Sequence, residues 1–228
     1  MRRPAPFSAS WWQERGLSAM LALLVFVIFV AMPLQALGFL SPVPGAVIFT
    51  FLLLSGVAAI SGRGTVTAAA GVTTLVTLGV RWAYFVSPGI ALAFWGGTLG
   101  IVSLGLVAAL LLRQVFREGP ITSDRIQGAI AVYVLMGLMW GLAYQLLDLL
   151  APGSLRLPEA RGDPHVVINH TLMYFSFVTL TTVGYGDITP VHPVARSLAN
   201  AEALIGQLYP AILLGRLVSL QISARERR

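Results

Sequence analysis

Six stretches of this chain are apolar over about the length needed to cross a bilayer, whose core of about 30 Å takes roughly 20 helical residues. They cover residues 17–37, 45–60, 65–86, 90–112, 126–150 and 194–222, the second being the shortest. In hydrocarbon no water pairs with exposed backbone N–H and C=O groups, so such stretches must satisfy these groups internally, as helices do. Composition agrees: 57% of the 228 residues are hydrophobic and only 11% charged, with a mean hydropathy of +0.81. That is more apolar surface than a soluble domain could bury. The fold class expected is an all-α integral membrane protein with six transmembrane helices.

The cysteine count is zero, which removes disulfides and thiolate metal sites and leaves stability to helix packing. The formal charge of +6 comes from arginines at the edges of the apolar stretches. They read as topology signals and not as a nucleic-acid surface. If the six helices alternate, Arg2, Arg3, Arg15, Arg63, Arg113, Arg117, Arg125, Arg225, Arg227 and Arg228 share one side. By the positive-inside rule that side is cytoplasmic, which puts both termini inside a multi-pass protein of the cell membrane. Asp148, Glu159, Asp163, Asp187, His165, His170 and His192 fall on the other. The polar lead-in through Arg15 and the long apolar run after it favour an uncleaved helix over a signal peptide.

Turn chemistry marks the boundaries: Ser41, Pro42, Pro44 and Gly45, then Ser61-Gly62-Arg63-Gly64, then Ser87-Pro88-Gly89. The organisation expected is a cytoplasmic tail over 1–16, a four-helix region over 17–118, a linker over 119–125, a second membrane unit over 126–222 and a tail over 223–228. The linker carries Gly119-Pro120 and a helix cap expected at Ser123 or Asp124. Inside the second unit, residues 167–180 form an apolar piece too short to cross and followed at once by a Gly-rich turn. This reads as a re-entrant segment. Asn169 is expected to cap its N-terminus, a use that competes with the glycosylation acceptor pattern Asn169-His170-Thr171.

After the short piece comes Thr181-Thr182-Val183-Gly184-Tyr185-Gly186-Asp187, and here the chain resembles the potassium channel pore family, whose Thr-Val-Gly-Tyr-Gly filter replaces the water shell of K+ with rings of backbone carbonyls. The resemblance covers about residues 126–222. It implies that the carbonyls of Thr182, Val183, Gly184 and Tyr185 coordinate K+, with the Thr182 hydroxyl completing the innermost site and Gly186 closing the filter. Gly184 and Gly186 suit the dihedral alternation that aims successive carbonyls inward. Val183 and Tyr185 would point away from the ions. Asp187 would stand at the outer mouth, where its charge concentrates cations, or cap a turn there. Residues 167–180 become a pore helix, with Thr181 at its end, Val178 behind the filter, and Tyr174, Phe175 and Phe177 as aromatic bulk around it. Some bacterial members carry an acid where Val178 stands, so that carboxylate pair is missing here. One filter per chain implies a ring of four, hence three further identical subunits, with lipid and K+ as the other partners and no cofactor beyond K+.

The last stretch holds three residues of interest. Pro193 suits its first turn. Gly206 stands where the family commonly has a flexible glycine, and Pro210 has no N–H for the Gly206 carbonyl, so this turn is a gating-hinge candidate against a static kink. Glu202 is an intramembrane acid that either faces the cavity or lies behind the pore helix and is hydrogen-bonded there.

Six-helix members of the family often sense voltage with arginines at every third position of the fourth helix. Here that helix has none before Arg113, and Arg81 is alone in the third, so weak voltage dependence is expected. The front helices, rich in Gly, Ala, Ser and Thr, suit close packing. Arg228 follows the last helix closely, so any ligand gate is expected in the membrane or on another protein. The outer histidines are titratable near neutral pH, though such residues are more often plain solvated loop positions. A membrane enzyme fails for want of parts, with no His-Glu-x-x-His, no cysteine nucleophile and no Ser, His and acid at one depth. A non-conducting scaffold with a pore-like fold is one rival, and the intact filter motif argues against it; a poorly selective cation channel is another, open if the missing acid at Val178 loosens the filter.

Overall fold

The computed structural model describes residues 9–37, 39, 42–59, 65–117, 122–157 and 164–226. It is helical: α1 (Ala9–Phe26), a π turn (Val27–Ala31), α2 (Met32–Ala36), α3 (Pro42–Ala59), α4 (Thr65–Val86), α5 (Ile90–Val115), α6 (Ser123–Leu150), α7 (Pro164–Leu180) and α8 (Pro193–Glu226). A short antiparallel ladder pairs β1 (Leu155–Arg156) with β2 (Thr189–Pro190), Leu155 opposite Pro190. Each of the six expected stretches is helical. Among the described residues, four helices are by length and composition apolar enough to cross a membrane, over Leu17–Gln35, Ala68–Val86, Ile90–Val115 and Ser123–Leu150.

The π turn has a local cause. Pro33 has no N–H for the carbonyl four residues earlier, and widening the ladder just upstream lets Met32 N–H reach the carbonyl of Val27 instead. The first helix also starts earlier than expected, since residues 9–16 of the expected tail are helical. Two expected caps are corrected. Thr122, not Ser123 or Asp124, holds the N-cap position of α6, and it makes no side-chain cap bond. α7 begins at Pro164, so Asn169 lies inside the helix and not at its start. Its carbonyl accepts from Gln145 Nε2 at 3.3 Å. The loop at 61–64, the linker at 118–121, and Glu159 and Asp163 lie outside the described residues, as does the side chain of His165.

α6 is the central element. Leu135, Leu138 and Leu142 join Leu17, Met20 and Leu24 of α1, Leu52 and Leu53 of α3, and Leu104, Val107 and Leu111 of α5 in one buried cluster. α7 and α8 pack against α6 as well. The front helices and the rear unit therefore share a core, although the sequence had set a linker between them. Inside the front half the Thr77 and Ser103 hydroxyls are 2.7 Å apart and the Arg81 guanidinium lies 4.2 Å from the centre of the Phe49 ring, while Thr74 Oγ1 and Arg81 Nε are buried without a hydrogen-bond partner among the described residues.

Candidate functional site

α7 ends at Leu180, and the way it ends shapes the segment that follows. Thr182 N–H donates to the Thr179 carbonyl at 2.9 Å, and Val183 N–H to the Val178 carbonyl at 3.0 Å. This pair of bonds is the Schellman pattern, in which the residue at Thr182 takes a left-handed conformation and is usually glycine. Here it is threonine at φ 59°, the one non-glycine residue with positive φ among those described. Gly184 and Gly186 follow at φ 58° and 81°. Three alternate residues thus sit in the left-handed region with Val183 and Tyr185 between them. In a plain extended strand successive carbonyls point to opposite sides, and alternating the hand of the backbone turns them towards one side.

Residues 181–187 are exposed in the single chain, with Val183 52% and Tyr185 71% accessible. Asp187 is fixed at the end of this run. Its Oδ1 accepts from Ile188 N–H at 3.0 Å. The chain then enters β2, and Ser154 binds it back to the loop after α6, its carbonyl accepting from Val191 and His192 N–H. His192 is no free loop residue, since its Nδ1 accepts from Val194 N–H at 3.2 Å at the start of α8. Arg196 Nε donates to the Pro190 carbonyl at 3.1 Å.

Behind α7, three helices converge on one acid. Glu202 of α8 is fully buried and takes Tyr144 Oη of α6 at 2.6 Å on Oε2 and Ser176 Oγ of α7 at 2.6 Å on Oε1. Of the two placements open in the sequence, the structure takes the one behind the helix. The Tyr144 ring packs edge-on against Phe175, 4.9 Å between centres. One turn further along α8, Gly206 abuts the Leu180 carbonyl so closely that a Cβ would meet it. Tyr133 Oη donates to that same carbonyl at 3.2 Å, which pairs one of the groups a helix C-terminus leaves open. Tyr209 stacks on Tyr133 and donates to the Ala129 carbonyl at 2.8 Å. α8 runs helical through Pro210.

Sequence reasoning missed Tyr133, Tyr144, Ser176 and Tyr209. A signal was available for two of them, because Tyr133 and Tyr144 lie about three turns apart on one face of α6, a polar stripe in an apolar helix.

Comparisons with known proteins bear on the segment that holds these residues, and the family match falls within it. A family model described as "Ion channel" matches residues 170–221. Protein LctB of Bacillus caldotenax is 29% identical over 123 residues, 54% of this chain and 91% of the relative. The two pore potassium channel c of Oryza sativa subsp. japonica is 39% identical over 75 residues, 33% of this chain and 16% of the relative. Two-pore potassium channel 3 of Arabidopsis thaliana is 37% identical over 67 residues, 27% of this chain and 15% of the relative. No solved structure matches. The likeness is to a potassium channel pore family, and it points to a channel and not to an enzyme.

Proposed function

We propose that this chain is one quarter of a potassium-selective channel that conducts K+ passively across the cell membrane. The observation that carries the reading is the alternation of backbone hand at Thr182, Gly184 and Gly186. It gives each chain a short ladder of carbonyls facing one way, and four such ladders around an axis surround a dehydrated cation with oxygen. The carbonyls of Thr182, Val183, Gly184 and Tyr185 are the K+ ligands, Gly186 completes the filter, and the Thr182 hydroxyl closes its inner end. A threonine in a position that favours glycine costs about 1–2 kcal/mol. A functional use of its hydroxyl accounts for its presence.

α7 is the pore helix of this reading. Its carbonyl end carries roughly half a negative charge and favours a cation below the filter. Asp187 stands at the outer mouth. Three identical chains and lipid cover the faces that the single chain leaves open, among them Tyr185 and the exposed Leu204, Leu208 and Ile212 of α8. The reading takes all six long helices as spans, with both termini cytoplasmic. Voltage dependence is weak, because Arg81 is the lone arginine of α4 and Arg113 lies in the last turn of α5.

The test is K+ against Na+ flux through the purified protein in liposomes, beside the Gly184→Ala variant. K+-selective flux abolished by the substitution is the expected result. A wild-type protein silent at every voltage and pH would overturn the reading in favour of a non-conducting subunit.

A further inference from the structure

Glu202 is the one acidic or basic side chain fully buried among the described residues. Three oxygen–oxygen contacts meet around it: Tyr144 Oη to Glu202 Oε2 at 2.6 Å, Ser176 Oγ to Glu202 Oε1 at 2.6 Å, and Ser176 Oγ to the Gly137 carbonyl at 2.7 Å. Contacts this short between oxygens are hydrogen bonds, each with a proton between its two atoms. The phenol brings one proton, the serine hydroxyl one, and the backbone carbonyl none. Three bonds need three. The Ser176 proton must go to Gly137, whose oxygen can only accept, so the bond to Oε1 lacks a donor unless the carboxyl supplies it.

We infer that Glu202 is a neutral carboxylic acid whose Oε1–H donates to Ser176 Oγ, while Ser176 passes its own proton to the Gly137 carbonyl. The relay ties α8 to α7 and α7 to α6 about one turn before α7 ends at Leu180. Tyr144 ties α6 to α8 through Oε2 and closes the loop. Glu202 is thus a positioning residue for the filter, a role that rests on the channel reading, whereas its protonation rests on the geometry alone.

Loss of the proton has a defined consequence. Ser176 can then serve only one of its two acceptors, and the other contact becomes two oxygens pressed together without hydrogen. The titratable groups facing the carboxyl are Tyr144 and Tyr133 of α6, and α7 presents the neutral Ser176. No arginine or histidine is among them to hold a carboxylate. Alkaline solution therefore loosens the pore helix, and a glutamine does not, since its amide can donate to Ser176 and accept from Tyr144 without titrating.

The test pairs infrared spectroscopy of the reconstituted protein with the pH profile of its K+ flux, for wild type, Glu202→Gln and Glu202→Ala. Wild type should show a carboxylic-acid C=O band at neutral pH that is absent from Glu202→Gln. Its flux should be lost reversibly in alkali, with a flat profile for Glu202→Gln and lost flux for Glu202→Ala. Should the glutamine variant fail to assemble, carbon-13 labelling of glutamate in the wild type identifies the band by its isotope shift. A carboxylate at neutral pH, with no acid band from glutamate, overturns the inference whatever the flux. An acid band in a protein that never conducts keeps the proton assignment and overturns the channel reading.

Discussion

Gly206 of α8 lies against the backbone carbonyl of Leu180, the last residue of α7, with no room for a Cβ between them. The sequence offered flexibility as the reason for a glycine in this turn, and the structure adds close approach. Two backbones touch where α8 passes the end of α7, and Tyr133 Oη completes the contact from the third side.

Gly206→Ala should therefore destabilise the protein by at least the roughly 1–3 kcal/mol typical of overpacking, because the obstacle is backbone that cannot rotate away. At Gly79 of α4 nothing lies within 4 Å, and there alanine should instead stabilise by up to about 1 kcal/mol through helix propensity. Thermal unfolding of both variants in one detergent checks the opposite signs.

Thr182→Gly separates strain from use. Glycine is at ease at φ 59°, so the variant should gain about 1–2 kcal/mol locally while losing the hydroxyl. The expected outcome is a protein at least as stable as wild type with poorer discrimination of K+ from Na+, measured by the same liposome flux.

The two tyrosines of α6 should differ in weight. Tyr144→Phe leaves a buried Glu202 oxygen without its donor and should cost about 1–3 kcal/mol. Tyr133→Phe removes a longer, part-buried bond to Leu180 and should cost about 0.5–1.5 kcal/mol. Denaturation of each variant, and of the pair, measures the difference.

Asp187→Asn keeps an oxygen for Ile188 N–H while removing the charge, so stability should hold. Conductance should fall at low ionic strength and approach wild type at high salt, where the field of the mouth is screened. Single-channel currents over a salt series give the comparison.

The sequence by itself determined the helices, because apolar runs of bilayer length have few other ways to satisfy their backbone, and the boundaries of α4 over Thr65–Val86 and the start of α8 at Pro193 follow from turn residues. It also determined the local chemistry of 181–187, since Gly184 and Gly186 mark backbone that a Cβ would oppose. What it left open were relations between helices. Glu202 could face either way on a helix of unknown rotation, and only the packing of α6, α7 and α8 set it between Tyr144 and Ser176. The same holds for Gly206, whose neighbour Leu180 comes from another helix, and for the left-handed turn at Thr182, which the closing bonds of α7 impose on a residue that would not choose it. Periodicity and turn chemistry act within a few residues along the chain. A buried carboxyl, its donors and a backbone contact are made across the fold, and their partners appear only once the helices have docked.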